Sequence, residues 1–347
     1  MESSATEAVT RQTPGTRVSA AAHDIFVIGA SAGGIASLRA LWAALPADFP
    51  GSIFAVVHIS PESPGKIAEV FERAGPLPVV TPDDGAFIVP GRIYVAPPDR
   101  HMLLEGNRVR VVRGPKENRH RPAIDPLFRS AAWAYGPRVV GVVLTGYLDD
   151  GTAGLWAIKT CGGVTVVQDP SDALHPQMPM HALSINQVDH CVPLQQMPGL
   201  LTRLARTPVV ESTVSDTRPQ ELETEVEFAE SERDIKDMGS LGKLSPFTCP
   251  GCGGALWELA DGGLLRYRCH TGHAFTADSL LLEQGGAIER ALYMGLRAIE
   301  EKSTALRRLR RHWNGRYPKV EADYEAKARE LDESAGLLRK LLTEHDI

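Results

Sequence analysis

Between residues 25 and 206, short runs rich in Val and Ile alternate with segments of helical pattern, and this rhythm narrows the available folds more than any other feature. The runs fall at residues 25–28, 53–57, 93–95, 109–112, 139–144 and 164–167, and residues 35–45, 67–74 and 125–134 read as helices between them. Strands separated by helices imply crossover connections, and therefore an α/β domain with a mostly parallel sheet. The strands of such a sheet are covered on both faces, so they read as nearly unbroken β-branched runs rather than as apolar and polar in alternation. Residues 93–96, 101–105 and 109–112, separated by 97–99 and by Gly106-Asn107, are expected to form a β-hairpin excursion.

Composition bounds what such a chain does. With 37 Lys plus Arg against 43 Asp plus Glu, the formal net charge of −6 over 347 residues leaves no basic footprint, which argues against nucleic acid or an anionic membrane as principal partner. No stretch approaches the roughly 18 consecutive apolar residues of a membrane span, and the N-terminus has no apolar signal region, so a cytoplasmic protein without membrane insertion is expected. Cys161, Cys191, Cys249, Cys252 and Cys269 are odd in number, which suits a reducing compartment and a metal better than a disulfide framework. Residues 1–23 carry no apolar period and read as a disordered lead. Residues 24–206 form the α/β domain, and 207–243 read as an acidic linker, solvated or holding one exposed helix. A small cysteine-bearing module at 244–277 precedes a helical hairpin at 278–347, broken by Gly315 and Pro318. In its second helix Tyr317, Tyr324, Leu331 and Leu338 recur every seven residues, with Val320, Ala328, Ala335 and Leu342 between them. That seam is suited to contact with a signalling partner or to self-association.

Phe26-Val27-Ile28-Gly29-Ala30-Ser31-Ala32-Gly33-Gly34-Ile35 reads as strand, Gly-rich turn and helix start, with Ser31 at the apex. Such a turn presents the hydroxyl at a strand's carboxyl end, where open α/β sheets form their crevices, together with free backbone N–H groups able to hold an oxyanion. The G-x-S-x-G string is weak alone, and a phosphate-binding turn or a capping serine compete with it. The dinucleotide fingerprint, however, requires Gly where Ser31 stands, and no P-loop Lys follows. A serine nucleophile needs a base and a group that fixes the base. His58 directly follows the run 53–57, and Asp149 and Asp150 follow the run 139–144, so candidates for both roles fall on the same sheet edge as Ser31.

Gly29-Ala30-Ser31-Ala32-Gly33-Gly34, Val57-His58, Tyr94-Val95-Ala96-Pro97-Pro98, His101-Met102, Arg121-Pro122 with Asp125, Phe128-Arg129-Ser130-Ala131, Leu144-Thr145-Gly146 and Asp150-Gly151 together resemble the CheB-type protein-glutamate methylesterases of bacterial chemosensory systems over about residues 24–200. The resemblance implies a doubly wound sheet, with Ser31 as nucleophile, His58 as general base and acid, and Asp150 rather than Asp149 as the residue orienting His58. It implies hydrolysis of glutamyl γ-methyl esters on a chemoreceptor-like protein, with glutamine deamidation as a second activity and no catalytic cofactor. Backbone N–H groups of Ala32 and Tyr147 are the implied oxyanion donors, although many family members carry Met-Gly where this chain has Tyr147-Leu148. Residues 1–22 are too few for a phosphoacceptor receiver, so regulation by one is not expected. A non-catalytic adaptor and a small-molecule serine esterase are the alternatives.

His101, His120, Arg121, Asp125 and Arg129 lie in the same blocks, and structural ion pairing is the reading favoured for the arginines. The last motif is Cys249-Pro250-Gly251-Cys252 followed by Cys269-His270-Thr271-Gly272-His273. C-x₂-C and C-x₃-H knuckles joined by a hairpin predict a structural Zn²⁺ held by Cys249, Cys252, Cys269 and His273, a zinc ribbon. His273 is preferred to His270, whose adjacency to Cys269 would strain chelation. Arg266, Arg268, Arg307, Arg308, Arg310 and Arg311 are read as ion-paired or solvated rather than as a phosphate stripe.

Overall fold

A computed structural model describes residues 17–185, 187–211, 219–230, 238–261, 264–313 and 315–344. The chain falls into two units, residues 1–279 and 280–347. It begins with β1 (Arg17–Ala22), β2 (Ile25–Ala30), α1 (Gly34–Ala44), β3 (Ser52–Val57), α2 (Ile67–Glu72), β4 (Val79–Val80) and β5 (Ile93–Val95). The hairpin β6 (His101–Glu105) and β7 (Arg108–Val112) comes next, then α3 (Ile124–Tyr135), β8 (Val139–Val143), α4 (Thr152–Thr160), β9 (Val164–Gln168), α5 (Gln177–Ile185), β10 (His190–Val192) and α6 (Met197–Ala205).

Seven of these strands form one sheet in the order β10-β9-β8-β2-β3-β5-β4, and every pairing in it is parallel. The period of two along each strand divides the core. Phe26, Ile28 and Ala30 of β2 face Leu38, Leu41, Phe71 and Leu201 from α1, α2 and α6. Ile25 and Val27 face Ile124, Phe128, Leu155 and Met178 from α3, α4 and α5. Both faces are thus covered, as the unbroken apolar runs require. β6 and β7 form their own antiparallel pair, whereas residues 93–95, expected to join that excursion, belong to the main sheet between β3 and β4.

The second half of this unit holds β11 (Pro208–Glu211), α7 (Gln220–Glu230), α8 (Met238–Leu241), β12 (Gly242–Thr248), β13 (Ala255–Asp261), β14 (Leu264–Cys269) and β15 (Ala274–Thr276). Two expectations change here. Residues 17–22 of the expected disordered lead are strand β1, antiparallel to β11, and residues 1–16 lie outside the described residues. Within the expected acidic linker, α7 buries Leu222, Thr224, Glu225, Phe228 and Ala229, so it is neither solvated nor exposed. β12 to β15 make a four-stranded antiparallel sheet over the expected cysteine-bearing module, called the ribbon below; the expected Gly262-Gly263 turn lies outside the described residues.

α9 (Ala277–Trp313) leads into the second unit, which α10 (Pro318–Glu344) completes. Ala328 and Ala335 are the buried residues of α10, and the Ser303 hydroxyl of α9 donates to the Ala328 carbonyl at 3.3 Å. The two helices therefore approach over small side chains. Tyr324, Leu331 and Leu338 of the expected seam are only half-buried, and Tyr317 is exposed. Arg307 pairs with Asp332 and Arg310 with Glu325 across the hairpin. No helix among the described residues is long and apolar enough to cross a membrane.

Candidate active site

β2 lies at the point where the sheet order reverses: the chain first lays β3, β5 and β4 to one side, then β8, β9 and β10 to the other. A crevice outside the carboxyl ends of the strands is expected at such a point. Ser31 follows β2 there, in a turn closed by the Ser31 N–H donating to the Thr145 carbonyl (3.0 Å) and the Gly34 N–H donating to the Ser31 carbonyl (2.8 Å). Gly33 takes φ +76°, a left-handed conformation open to glycine at little steric cost. Gly146 has another reason to be glycine: a Cβ there would lie 2.1 Å from the Met178 sulfur and 2.7 Å from the Ser31 Cβ. The loop after β8 thus closes directly onto the serine.

The Ser31 hydroxyl is 3.0 Å from His58 Nδ1, and His58 Nε2 is 2.8 Å from Asp150 Oδ2. Asp150 is 2% exposed, which opposes its charge, yet it accepts hydrogen bonds from His58, from the Ile124 N–H (2.7 Å), from the Asp125 N–H (3.2 Å) and from Asn118 Nδ2 (2.9 Å). Burial pushes its pKa up, but the hydrogen bond and charge of His58, with the Ile124 and Asn118 donors, outweigh this and hold the carboxyl well below the usual range. Two of the donors are first-turn amides of α3, whose N-terminus favours negative charge. An ionised Asp150 keeps the imidazole proton on Nε2, and the Nδ1 lone pair then faces the Ser31 hydroxyl.

Two further side chains flank this line. The His120 ring stacks on His58 with centroids 3.6 Å apart and planes 8° from parallel. Burial, then the nearby His58, lowers the His120 pKa to about 3, so His120 is a neutral plate against the other imidazole. Asp125 is fully buried and accepts from the Gly151 and Gly154 amides and from Asn118 Nδ2 (2.9 Å). Burial and the charge of Asp150 push its carboxyl up to about 7.

Ser31, His58 and Asp150, expected together from their strand ends, are brought into one hydrogen-bonded chain. Asp149 points elsewhere and accepts from the Thr276 hydroxyl at 2.9 Å. Among the described residues, neither the Ala32 nor the Tyr147 amide has a hydrogen bond to a protein acceptor. Leu148 takes φ +61°, so this chain holds a branched residue in a left-handed turn. The arginines have structural partners: Arg121 bonds Asp99 at 2.6 Å, and buried Arg129 bonds Glu117. His101 is buried with Nε2 on the Pro115 carbonyl at 2.8 Å. The sequence reading missed Asn118 altogether and left His120 and Asp125 without roles; Asn118 and His120 lie in the short loop before α3, which no periodicity marks.

The cysteine cluster is equally compact. Cys249 Sγ lies 3.7 Å from His273 Nδ1, Cys252 Sγ 3.7 Å from Cys269 Sγ, and Cys269 Sγ 3.6 Å from His273 Nδ1, with all four donor atoms within 4.8 Å of one another. A tetrahedral zinc with ordinary bond lengths separates sulfurs by about 3.8 Å and sulfur from nitrogen by about 3.6 Å. The donor set fits that ion. His270 is not in the cluster: its ring packs on Gly254, where a Cβ would lie 2.4 Å from it.

A doubly wound parallel sheet with hydroxyl, imidazole and buried carboxylate aligned at its switch point has the architecture of a serine hydrolase whose Ser-His-Asp chain order differs from that of the α/β-hydrolases. The family model described as CheB methylesterase matches residues 26–201, and the chain belongs to that family. A protein-glutamate methylesterase/protein-glutamine glutaminase of Anaeromyxobacter dehalogenans is 40% identical over 186 residues, 52% of this chain and 51% of that protein. A Leptospira interrogans protein is 36% identical over 183 residues, which cover 95% of it. The chain thus spans about half the length of the first relative and nearly all of the second. The crystal structure of the Thermotoga maritima CheB methylesterase catalytic domain superposes with a TM-score of 0.50 at 31% identity, covering 52% of this chain and 98% of that one.

Proposed function

We propose that this protein is a cytoplasmic protein-glutamate methylesterase that hydrolyses glutamyl γ-methyl esters on a chemoreceptor-like protein, with glutamine deamidation as a second reaction of the same site. The observation that carries this reading is the unbroken chain from Ser31 through His58 to Asp150, at 3.0 and 2.8 Å. Ser31 attacks the ester carbonyl as His58 Nδ1 takes its proton. The Ala32 and Tyr147 amides receive the oxyanion, each such donor being worth about 3 kcal/mol in comparable sites. His58 returns the proton to the departing methanol, then deprotonates the water that hydrolyses the glutamyl-enzyme, while Asp150 holds the tautomer and stabilises the imidazolium. With a glutamine side chain the leaving group is ammonia.

Ser31→Ala is expected to take methanol release from a methylated receptor to the assay floor, since losing the serine of such a triad costs about a million-fold in turnover. Release at the wild-type rate by the folded variant would refute the assignment. Turnover of a small chromogenic ester without methanol release would favour a general esterase, and inactivity of the wild type on both would favour an adaptor. Cys249, Cys252, Cys269 and His273 are proposed to hold a structural zinc; a bound zinc supplies no chemistry to ester cleavage here and serves to tie the two knuckles together.

A further inference from the structure

Asn118 faces two ways. Its Nδ2 donates to Asp150 Oδ1 and to Asp125 Oδ2, both at 2.9 Å, while its Oδ1 accepts from the Thr276 N–H at 3.1 Å and the Ser279 hydroxyl at 3.4 Å. Thr276 is the last residue of β15, three residues beyond the cluster residue His273. The backbone repeats the link: the Asn118 N–H donates to the Ala274 carbonyl (2.9 Å), and the Ala274 N–H donates to the Lys116 carbonyl (3.3 Å). Beside them, buried Arg268 of β14 donates to Glu117 Oε1 (3.0 Å) and to the Gly272 carbonyl (2.9 Å). The loop that touches the ribbon therefore also supplies Asn118 to the carboxylate and His120 to the imidazole. Asn118 and Arg119 hold φ +46° and +73°, a left-handed conformation that Asn adopts readily and Arg seldom does.

We infer that β15 sets the Ser31–His58–Asp150 line through Asn118, which makes Asn118 a positioning residue and the metal-binding ribbon a working part of the esterase site. This rests on the esterase reading above for its kinetic consequences, but its geometric core does not. With the four-ligand cluster tied, the turn at residues 269–273 is fixed and β15 leaves it in register. With the cluster open, the two partners of Asn118 Oδ1 are no longer held. Asp150 then keeps its helix amides but loses the side chain that aims its second oxygen.

The test uses the full chain loaded with zinc. Asn118→Gly deletes both faces of the side chain while tolerating the left-handed backbone. Asn118→Asp keeps an acceptor for Thr276 but places a carboxylate against Asp150. The readout independent of turnover is the downfield NMR signal of the His58 Nε2 proton bonded to Asp150. It is expected to be sharp in the zinc-loaded wild type and lost or broadened in both variants and in the zinc-depleted wild type. In the methanol assay, kcat is expected to fall about 10- to 100-fold, as with other supporting-shell losses, with KM nearly unchanged. Re-added zinc should restore the wild type and not Asn118→Gly. An unchanged proton signal in folded Asn118→Gly, or in wild type shown by metal analysis to be zinc-free, would overturn the inference, and the second measurement requires no substitution. A signal that depends on Asn118 and zinc in a protein that cleaves no methyl ester would instead remove the esterase reading and leave the positioning role intact.

Discussion

At the scale of single residues, the stacked pair of imidazoles has a consequence for stability. His120 titrates at about 3 in the folded protein against an ordinary value of 6.5, chiefly because it is buried, and fully buried His101 is lowered for the same reason. The unfolded chain takes up protons as pH falls through 6.5, whereas the folded chain leaves these rings neutral until much lower pH. Stability is therefore present above about pH 6.5 and is lost progressively as the pH falls toward 3. Asp125, pushed up to about 7, works in the opposite sense over the same range, so the readout is the difference between variants: His120→Phe, which keeps a flat ring on His58, should lose less urea stability than the wild type between pH 7 and pH 5, and an unchanged pH slope in the variant would contradict the neutral plate. Ser31, His58 and Asp150 were legible in the sequence because each directly follows or closely trails a β-rich run, and parallel strands put those ends on one edge. Asn118 was not legible, because its partner Thr276 is 158 residues away and a loop carries no period to mark it.

At the scale of elements, α7 shows how composition misled. Its buried residues are Leu222, Thr224, Glu225, Phe228 and Ala229, and in the helical i, i+3, i+7 row of Leu222, Glu225 and Ala229 a glutamate occupies an apolar position. Glu225 is buried because Arg266 grips it through two bonds at 3.0 and 2.7 Å and Arg268 adds one at 2.7 Å. Burial opposes its charge, but Arg129, Arg266 and Arg268 hold the carboxyl well below its ordinary value. Removing one member of such a cluster leaves buried cations uncompensated, at a cost of about 3–5 kcal/mol. Glu225→Ala should lose that much in urea unfolding, and Glu221→Ala, on an exposed position of the same helix, within about 0.5 kcal/mol of nothing. Equal, small losses from both would show that α7 lies on the surface after all. The grouping of Cys249, Cys252, Cys269 and His273, by contrast, was readable without any partner from elsewhere, since both knuckles are local turns.

At the scale of the whole molecule, the sequence divides into modules more cleanly than the structure does. The ribbon spans β12 to β15, yet Glu117, in the loop before α3, pairs with Ala274 in a β-bridge and with Arg268 through a buried ion pair, so the ribbon is joined to the α/β part by buried contacts within residues 1–279. Shared buried contacts couple unfolding, and a ligand that binds only the folded state stabilises everything coupled to its site. Were zinc held as proposed, at 1,000 times its dissociation constant it would add about 4 kcal/mol. Hydrogen exchange followed with and without a chelator should therefore speed up in β2 and β3 of the central sheet as well as in β13 and β14, and Cys252→Ser should reproduce the chelated pattern while binding no stoichiometric zinc. Faster exchange confined to β12–β15, with the central sheet unchanged, would make the ribbon an independent appendage and leave the sheet's stability to its own two cores.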